Sequence, residues 1–191
     1  VANKGTQGED DTNDQNYYAI RGQLLWQPSD DFSVRFIADQ SEREEACCGA
    51  AVYLSGPTDP LINRIAQIGS VGGSVVGTSV TNTLEDTTSF ANRNYDQTIG
   101  DRGVSAEVTW ELGFGTFTSI SAWRNWEWRY GQDADFTGMD LVYRDLADGT
   151  GNEFTTTTQE FRLAGEAGPV DWLVGAFYSN EVIDRKDTFR P

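Results

Sequence analysis

Two adjacent thiols, a string of aspartates and a dense run of aromatics are the residues of this chain whose chemistry could be put to use. Cys47 and Cys48 stand side by side in "ACCGA". Neighbouring Cα atoms lie about 3.8 Å apart, below the roughly 4.4 to 6.8 Å span of an ordinary disulfide, so a bridge between them closes a strained and easily reduced ring. In an oxidising compartment three states compete: that vicinal bridge, two thiols or pairing with a loop elsewhere in a larger protein, and thiolate metal binding with no histidine nearby. The stretch "GQDADFTGMDLVYRDLADGTGN" sets Asp133, Asp135, Asp140, Asp145 and Asp148 among glycines. Such a loop can wrap calcium, with Asp133, Asp135 and Asp140 as candidate ligands, or it can stay a solvated acidic loop. The EF-hand ligand order is absent and no glutamate closes the set, so no metal or cofactor is expected.

The chain contains no histidine, which removes the commonest general base and zinc ligand together. No nucleophile is paired with a base, and no enzyme is expected. The glycine-rich run "PLINRIAQIGSVGGSVVGT" lacks the lysine and the glycine order of a phosphate cradle, and its Leu61, Ile62, Ile65 and Ile68 read as one or two helical turns packing on their own loop or over the barrel mouth. With 30 acidic against 14 basic residues and a formal net charge of -16, the surface repels phosphate backbones, so no nucleic-acid partner is expected.

The aromatics remain. "SAWRNWEWRY" holds Trp123, Trp126, Trp128 and Tyr130 in ten positions, and Trp26, Trp110 and Trp172 each lie close to a short polar turn. What positions them is a set of alternating strands. In "YYAIRGQLLW", Tyr18, Ile20, Gly22, Leu24 and Trp26 share one face. After the turn-forming "QPSDD", Phe32, Val34, Phe36 and Ala38 share another. The unit recurs as "GVSAEVTWEL" with "TFTSISAWRNWEWRY", and as "FTTTTQEFRLA" with "DWLVGAFYSNEV" around a turn at "GEAGPV". Six strands are predicted near 17–27, 31–41, 103–112, 116–130, 153–164 and 170–183; the last leaves its outward face over 170–182 undecided.

Short turns join the strands within each hairpin, whereas long, acidic and glycine-containing loops at 42–102 and 131–152 separate the hairpins. No stretch approaches the roughly 18 to 20 apolar residues of a spanning helix, but strands of about 10 residues can cross a bilayer. The asymmetry of turns and loops predicts an all-β, antiparallel transmembrane barrel segment of about six strands, with short periplasmic turns and long extracellular loops. At about 2.5 Å of climb per residue, Trp126 and Trp128 fall near the far interface from the turn at residue 113. Trp26, Trp110, Trp126, Trp128, Tyr130 and Trp172 are thus the expected interface girdle, with Ile120 and Ala122 toward lipid and Arg124 snorkelling outward. Arg21, Arg35, Glu107, Trp123 and Arg162 are the candidate lumen residues for a ligand. A soluble sandwich core, or a platform stacking glycans, is the competing use of the same tryptophans.

The runs "RGQLLWQPSDDFSVRF", "TSISAWRNWEWRY", "TQEFRLAG" and "DWLVGAFYSNE" resemble barrel strands of TonB-dependent outer-membrane receptors. The likeness covers the three hairpins, about half of the chain, and is specific as a set; the loops match nothing in that family. The resemblance implies a barrel of about 22 strands in the bacterial outer membrane, plugged by an N-terminal domain, that imports a scarce nutrient such as a ferric siderophore with energy delivered by TonB. Its implied partners are outer-membrane lipid, the remaining barrel and plug, TonB through that plug, and the transported small molecule. Residue 1 is Val, no plug sequence is present, and about eight strands are the minimum for closure, so the chain reads as part of a longer polypeptide. The alternative is a secreted acidic β-sandwich that binds glycans on its tryptophans; a simple porin would fit the strands but not the family-like runs.

Overall fold

In the computed structural model the described residues are 2–3, 14–46, 56–58, 60, 61, 64, 88–89, 91–93, 95–135 and 141–191. Six long strands dominate them: β1 (Asp14–Ser29), β2 (Phe32–Ala46), β3 (Asp96–Glu111), β4 (Thr116–Tyr130), β5 (Gly151–Ala167) and β6 (Val170–Lys186). They form one antiparallel sheet in which spatial order follows chain order, an up-and-down meander with β1 and β6 at its open edges. The fold is all-β, as the alternating pattern predicts. Among the described residues the other ladders are two-residue pairs, Ala2–Asn3 with Thr88–Ser89 and Gln132–Asp133 with Tyr143–Arg144.

Local chemistry sets the turns. Pro28 has no N–H to give the ladder, and the β1–β2 register shifts between Trp26 and Ser29 before Asp30 and Asp31 close the turn. Leu112–Gly115 joins β3 to β4, with the Leu112 N–H donating to the Gly115 carbonyl at 2.9 Å and Gly113 at φ 81°. Between β5 and β6 only Gly168 and Pro169 remain outside the strands; Gly168 has φ 63°, the positive first angle of a type II′ hairpin.

Every strand but β4 is longer than the sequence pattern suggests. β2 continues through Ala46 and β3 begins at Asp96, so the ladder runs into what reads as loop at 42–102. β5 starts at Gly151 and runs on through Gly165 to Ala167, into the segment read as a turn. The reason is common to these extensions. Main-chain ladder bonds need no apolar side chain, and Glu42–Ala46 pairs with Asp96–Gly100 although neither run has a greasy side. The cysteine pair Cys47 and Cys48, Asp140, and Ile62, Ile65 and Ile68 lie outside the described residues.

Candidate functional site

Directly paired residues of an antiparallel ladder point to the same side, so the register sorts every side chain onto one of two faces. The first face carries Ile20, Leu24 and Trp26 of β1, Phe36, Val34 and Phe32 of β2, and Val104, Val108 and Trp110 of β3. Phe117 and Trp123 of β4, Phe161 and Leu163 of β5, and Trp172, Val174 and Tyr178 of β6 lie on the same face, with Thr157 and the hydrogen-bonded Ser119, Ser121 and Gln159 among them. The undecided segment 170–182 is thereby settled: its even-numbered residues belong to the apolar face. On β1 this face is apolar or aromatic from Trp26 up to Tyr18, a rise of eight residue steps, or about 20 Å along the normal for a strand tilted near 40°.

Much of this face is open. Ile20 is 68 % exposed, and Leu24, Phe36, Val104, Phe161 and Val174 are exposed with it. Val34, at 7 %, is buried between its cross-strand partners Trp26 and Val108. Near the short turns Trp26, Phe32 and Trp110 form a row of edge-to-face rings with centroids 6.2 and 6.3 Å apart. Toward the loops the apolar band gives way to Gln40, Arg102 and Asn125, and then to Glu42 and Glu127.

The second face carries ion pairs at the level where the first is greasy, together with Leu25, Ile37, Ile120, Leu173 and Phe177. Arg35 Nη2 meets Glu107 Oε2 at 2.5 Å, and Arg162 Nε meets Glu160 Oε1 at 2.5 Å. One row runs across the whole sheet as Arg21, Asp39, Gly103, Arg124, Thr156 and Glu181. Within it Arg124 extends over Gly103 to bond Asp39 at 2.9 Å, while its other nitrogen reaches Asp101 at 2.6 Å. Arg21, Arg35, Glu107 and Arg162 do share this face. Nearer the loops the same face turns aromatic: Trp126 packs edge-on to Phe154 at 5.4 Å, Trp128 stacks on Tyr130 at 4.4 Å, and Trp128 Nε1 donates to Gln97 Oε1 at 2.9 Å.

Two expectations for β4 are therefore exchanged. Trp126, Trp128 and Tyr130 stand with the ion-paired residues and not with Trp26, Trp110 and Trp172, whereas Trp123 stands with those three tryptophans and not with Arg21 and Arg35. Ile120 and Ala122 also lie on the polar face, as does Arg124. The cause is the turn: Glu111 pairs with Thr116 and Trp110 with Phe117, so β4's odd-numbered positions continue β3's apolar side. Ile120 and Ala122 mark the greasier side of β4 read alone, but the ladder decides the face.

At the loop end the chain folds over the sheet's rim. Asp133 is fully buried, and its carboxylate accepts the Asn92 N–H at 2.9 Å and the Asp135 N–H at 3.2 Å; Asp135 in turn accepts from Leu141 and Val142 at 3.2 and 3.0 Å. These two carboxylates order the main chain of the loop. Among the described residues no cluster of three or more potential metal ligands occurs. Burial, with Asp133 and Asp135 adding to it, pushes the Tyr95 hydroxyl pKa upward. The tail is strapped to this loop: Tyr143 and Arg190 exchange both main-chain bonds at 3.0 and 2.9 Å, Arg144 Nε meets Asp187 at 2.8 Å, and Arg190 Nε meets Asp148 at 2.6 Å. The partner guanidinium in each pair, Arg190 beside Asp148 and Arg144 beside Asp187, holds the carboxyl below its usual range.

The cross-strand group of Arg124, Asp39 and Asp101 was missed in the sequence. Its signal was Gly103 inside an alternating strand, a mark of close approach that spacing alone does not pair with an arginine. Comparison of this chain with protein-family models, with curated proteins and with solved structures gave no match.

Proposed function

We propose that the chain is a section of the barrel wall of a TonB-dependent transporter in the bacterial outer membrane, serving uptake of a scarce nutrient such as a ferric siderophore. The observation that supports it is the partition of the single sheet layer over β1 to β3: an uncovered apolar face ending in aromatics on one side, and ion-paired guanidinium and carboxylate groups at the same height on the other. In a water-soluble protein so large an apolar surface calls for a covering layer. Here lipid takes that place, further strands continue from β1 and β6, and a plug that receives TonB meets the polar face. The transported small molecule passes on that polar side, and the chain performs no catalysis of its own.

The test is lipid contact. In vesicles of lipids brominated along the acyl chain, tryptophan emission should be quenched, and Trp26→Phe with Trp110→Phe should remove more of the quenchable signal than Trp126→Phe with Trp128→Phe. Absence of quenching, together with a folded monomer in plain buffer, would favour a secreted acidic β-sandwich stacking glycans on its tryptophans.

A further inference from the structure

Where the loop folds over the ends of β3 and β4 it leaves a mostly polar recess of about 250 Å³. Its walls come from three parts of the chain: Asn92 and Arg93 before β3, Asp96 at the start of that strand, and the loop from Tyr143 to Leu146. The Gly131 N–H donates to the Asp96 carbonyl at 2.7 Å, and the main-chain pair of Tyr143 with Arg190 holds the loop side in place. The volume falls just below the roughly 300–1,000 Å³ of sites for drug-sized molecules, so the occupant is about one ring in size.

The lining is balanced in charge, in a chain that carries 30 acidic against 14 basic residues. Two guanidiniums, Arg93 and Arg144, and two carboxylates, Asp96 and Asp145, surround the space. A net charge placed among them gains from one pair and is opposed by the other, so a neutral occupant is selected over a phosphate, a carboxylate or an ammonium ion. The aromatic rings nearby are already engaged. The Arg93 guanidinium carbon stands 3.9 Å over the Tyr143 ring, Trp128 is stacked on Tyr130, and Arg144 lies 5.6 Å from the centroid of Tyr130 and 3.8 Å from that of Phe189. Recognition therefore falls to hydrogen bonds. The groups that make them are pre-set: Asp145 accepts the Ala147 N–H at 2.9 Å and lies 3.5 Å from Arg190, and Arg144 bonds Gln132 at 2.6 Å and Asp187 at 2.8 Å. A carboxylate has about four lone-pair sites and keeps acceptor capacity after such bonds, and a side chain fixed by its neighbours loses little further freedom on binding.

We propose that this recess binds one neutral, polyhydroxylated ring, a hexopyranose unit, either free or at the end of a glycan. Each sugar hydroxyl both donates and accepts, which suits a wall that combines guanidinium donors with carboxylate acceptors. Asp96 and Asp145 accept from ring hydroxyls, Arg93 donates to them, and Leu146 covers the C–H side of the ring. The recess is made by the loop and the strand ends, beyond the apolar band, so the assignment does not depend on what covers that band.

Ligand-observed NMR titration of the full chain tests it, in an amine-oxide detergent whose head carries no sugar. The methyl pyranosides of glucose, galactose and mannose are added, each beside its uronic acid and its 2-amino form at pH 7. At least one neutral glycoside should bind, about tenfold more tightly than either of its charged counterparts. Arg93→Gln and Asp96→Asn, which remove charge at similar size, should each weaken that binding about tenfold. Trp110→Leu and Trp126→Leu, outside the recess, should not. A trisaccharide bound as tightly as its single unit assigns the site to glycan ends, and one that is excluded assigns it to the free sugar. Binding of none of the three, a charged form held as tightly as its neutral parent, or binding lost in the tryptophan variants and kept in Arg93→Gln and Asp96→Asn would each overturn the proposal. The charge preference is read on the unaltered chain, so it decides even where a variant fails to fold. Failure here leaves the barrel-wall reading to its own test of lipid contact.

Discussion

The guanidinium of Arg124 occupies the space that a side chain at Gly103 would take: a Cβ there would lie 2.9 Å from Nη2 and 3.1 Å from the guanidinium carbon. That vacancy lets one arginine of β4 cross β3 and reach Asp39 on β2. Three strands are cross-braced by one side chain, on the face that carries the other ion pairs.

Removing the brace should cost little, because Arg124 is 47 % exposed and its attraction to Asp39 is screened. A double-mutant cycle of Arg124→Ala and Asp39→Ala is expected to give a coupling of about 0.5–1 kcal/mol in denaturant titration. Gly103→Ala should abolish most of that coupling by displacing the guanidinium. Gly100→Ala, in open space on the same strand, should leave it intact.

Leu24 is well exposed in the middle of the apolar face, and Gln23 beside it points the other way. In water an arginine at either position would be nearly neutral. With lipid against the first face, Leu24→Arg should destabilise the folded chain in vesicles by about 2–4 kcal/mol. Gln23→Arg should change it by less than about 0.5 kcal/mol. Equal effects would argue against lipid contact.

Gly151 begins β5 where a Cβ would lie only 1.8 Å from the Trp128 carbonyl oxygen and 2.9 Å from its carbon. Backbone cannot yield as a side chain does. Gly151→Ala should therefore lower stability by about 2–4 kcal/mol and loosen the β4–β5 ladder at its loop end, read as a lower thermal midpoint and faster amide exchange at Tyr130.

The strap at the loop end should respond to acid. Asp148 and Asp187 have folded-state pKa values held below normal, first by their hydrogen bonds to Arg190 and Arg144, so their contribution is complete above the ordinary carboxylate pKa near 4 and is lost as the pH falls through the depressed values. Amide protection at Tyr143 and Arg190, corrected for intrinsic exchange, is expected to be unchanged between about pH 5 and 8 and to drop below about pH 4.

How much was legible depended on how far each feature reaches along the chain. The hairpin β1–β2 could be read almost whole, since Ile20 to Trp26 and Phe32 to Ala38 alternate cleanly across one turn, and the same holds for Val104 to Trp110. The face of β4 was not legible in its own residues. Thr, Ser and Asn alternate there with Ile, Ala and Trp, and only the pairing of Trp110 with Phe117 fixes which side joins the apolar face. β6 was ambiguous for the same reason, until Val174 was placed opposite Leu163 and Ala176 opposite Phe161. The loop cluster was beyond reach altogether: Asp133 accepts its hydrogen bond from Asn92, 41 residues away, and no periodicity announces such a contact.

The meander order has a kinetic corollary. Hairpins closed by two to four residues, such as Ala167 to Val170, need almost no search, whereas bringing Ala46 beside Asp96 means closing 49 intervening residues, against 20 between Tyr130 and Gly151. The longer closure costs about 0.8 kcal/mol more in chain entropy than the shorter. The seam between β2 and β3 is thus expected to zip after the other joins, leaving the first hairpin as a separately nucleated unit that docks late.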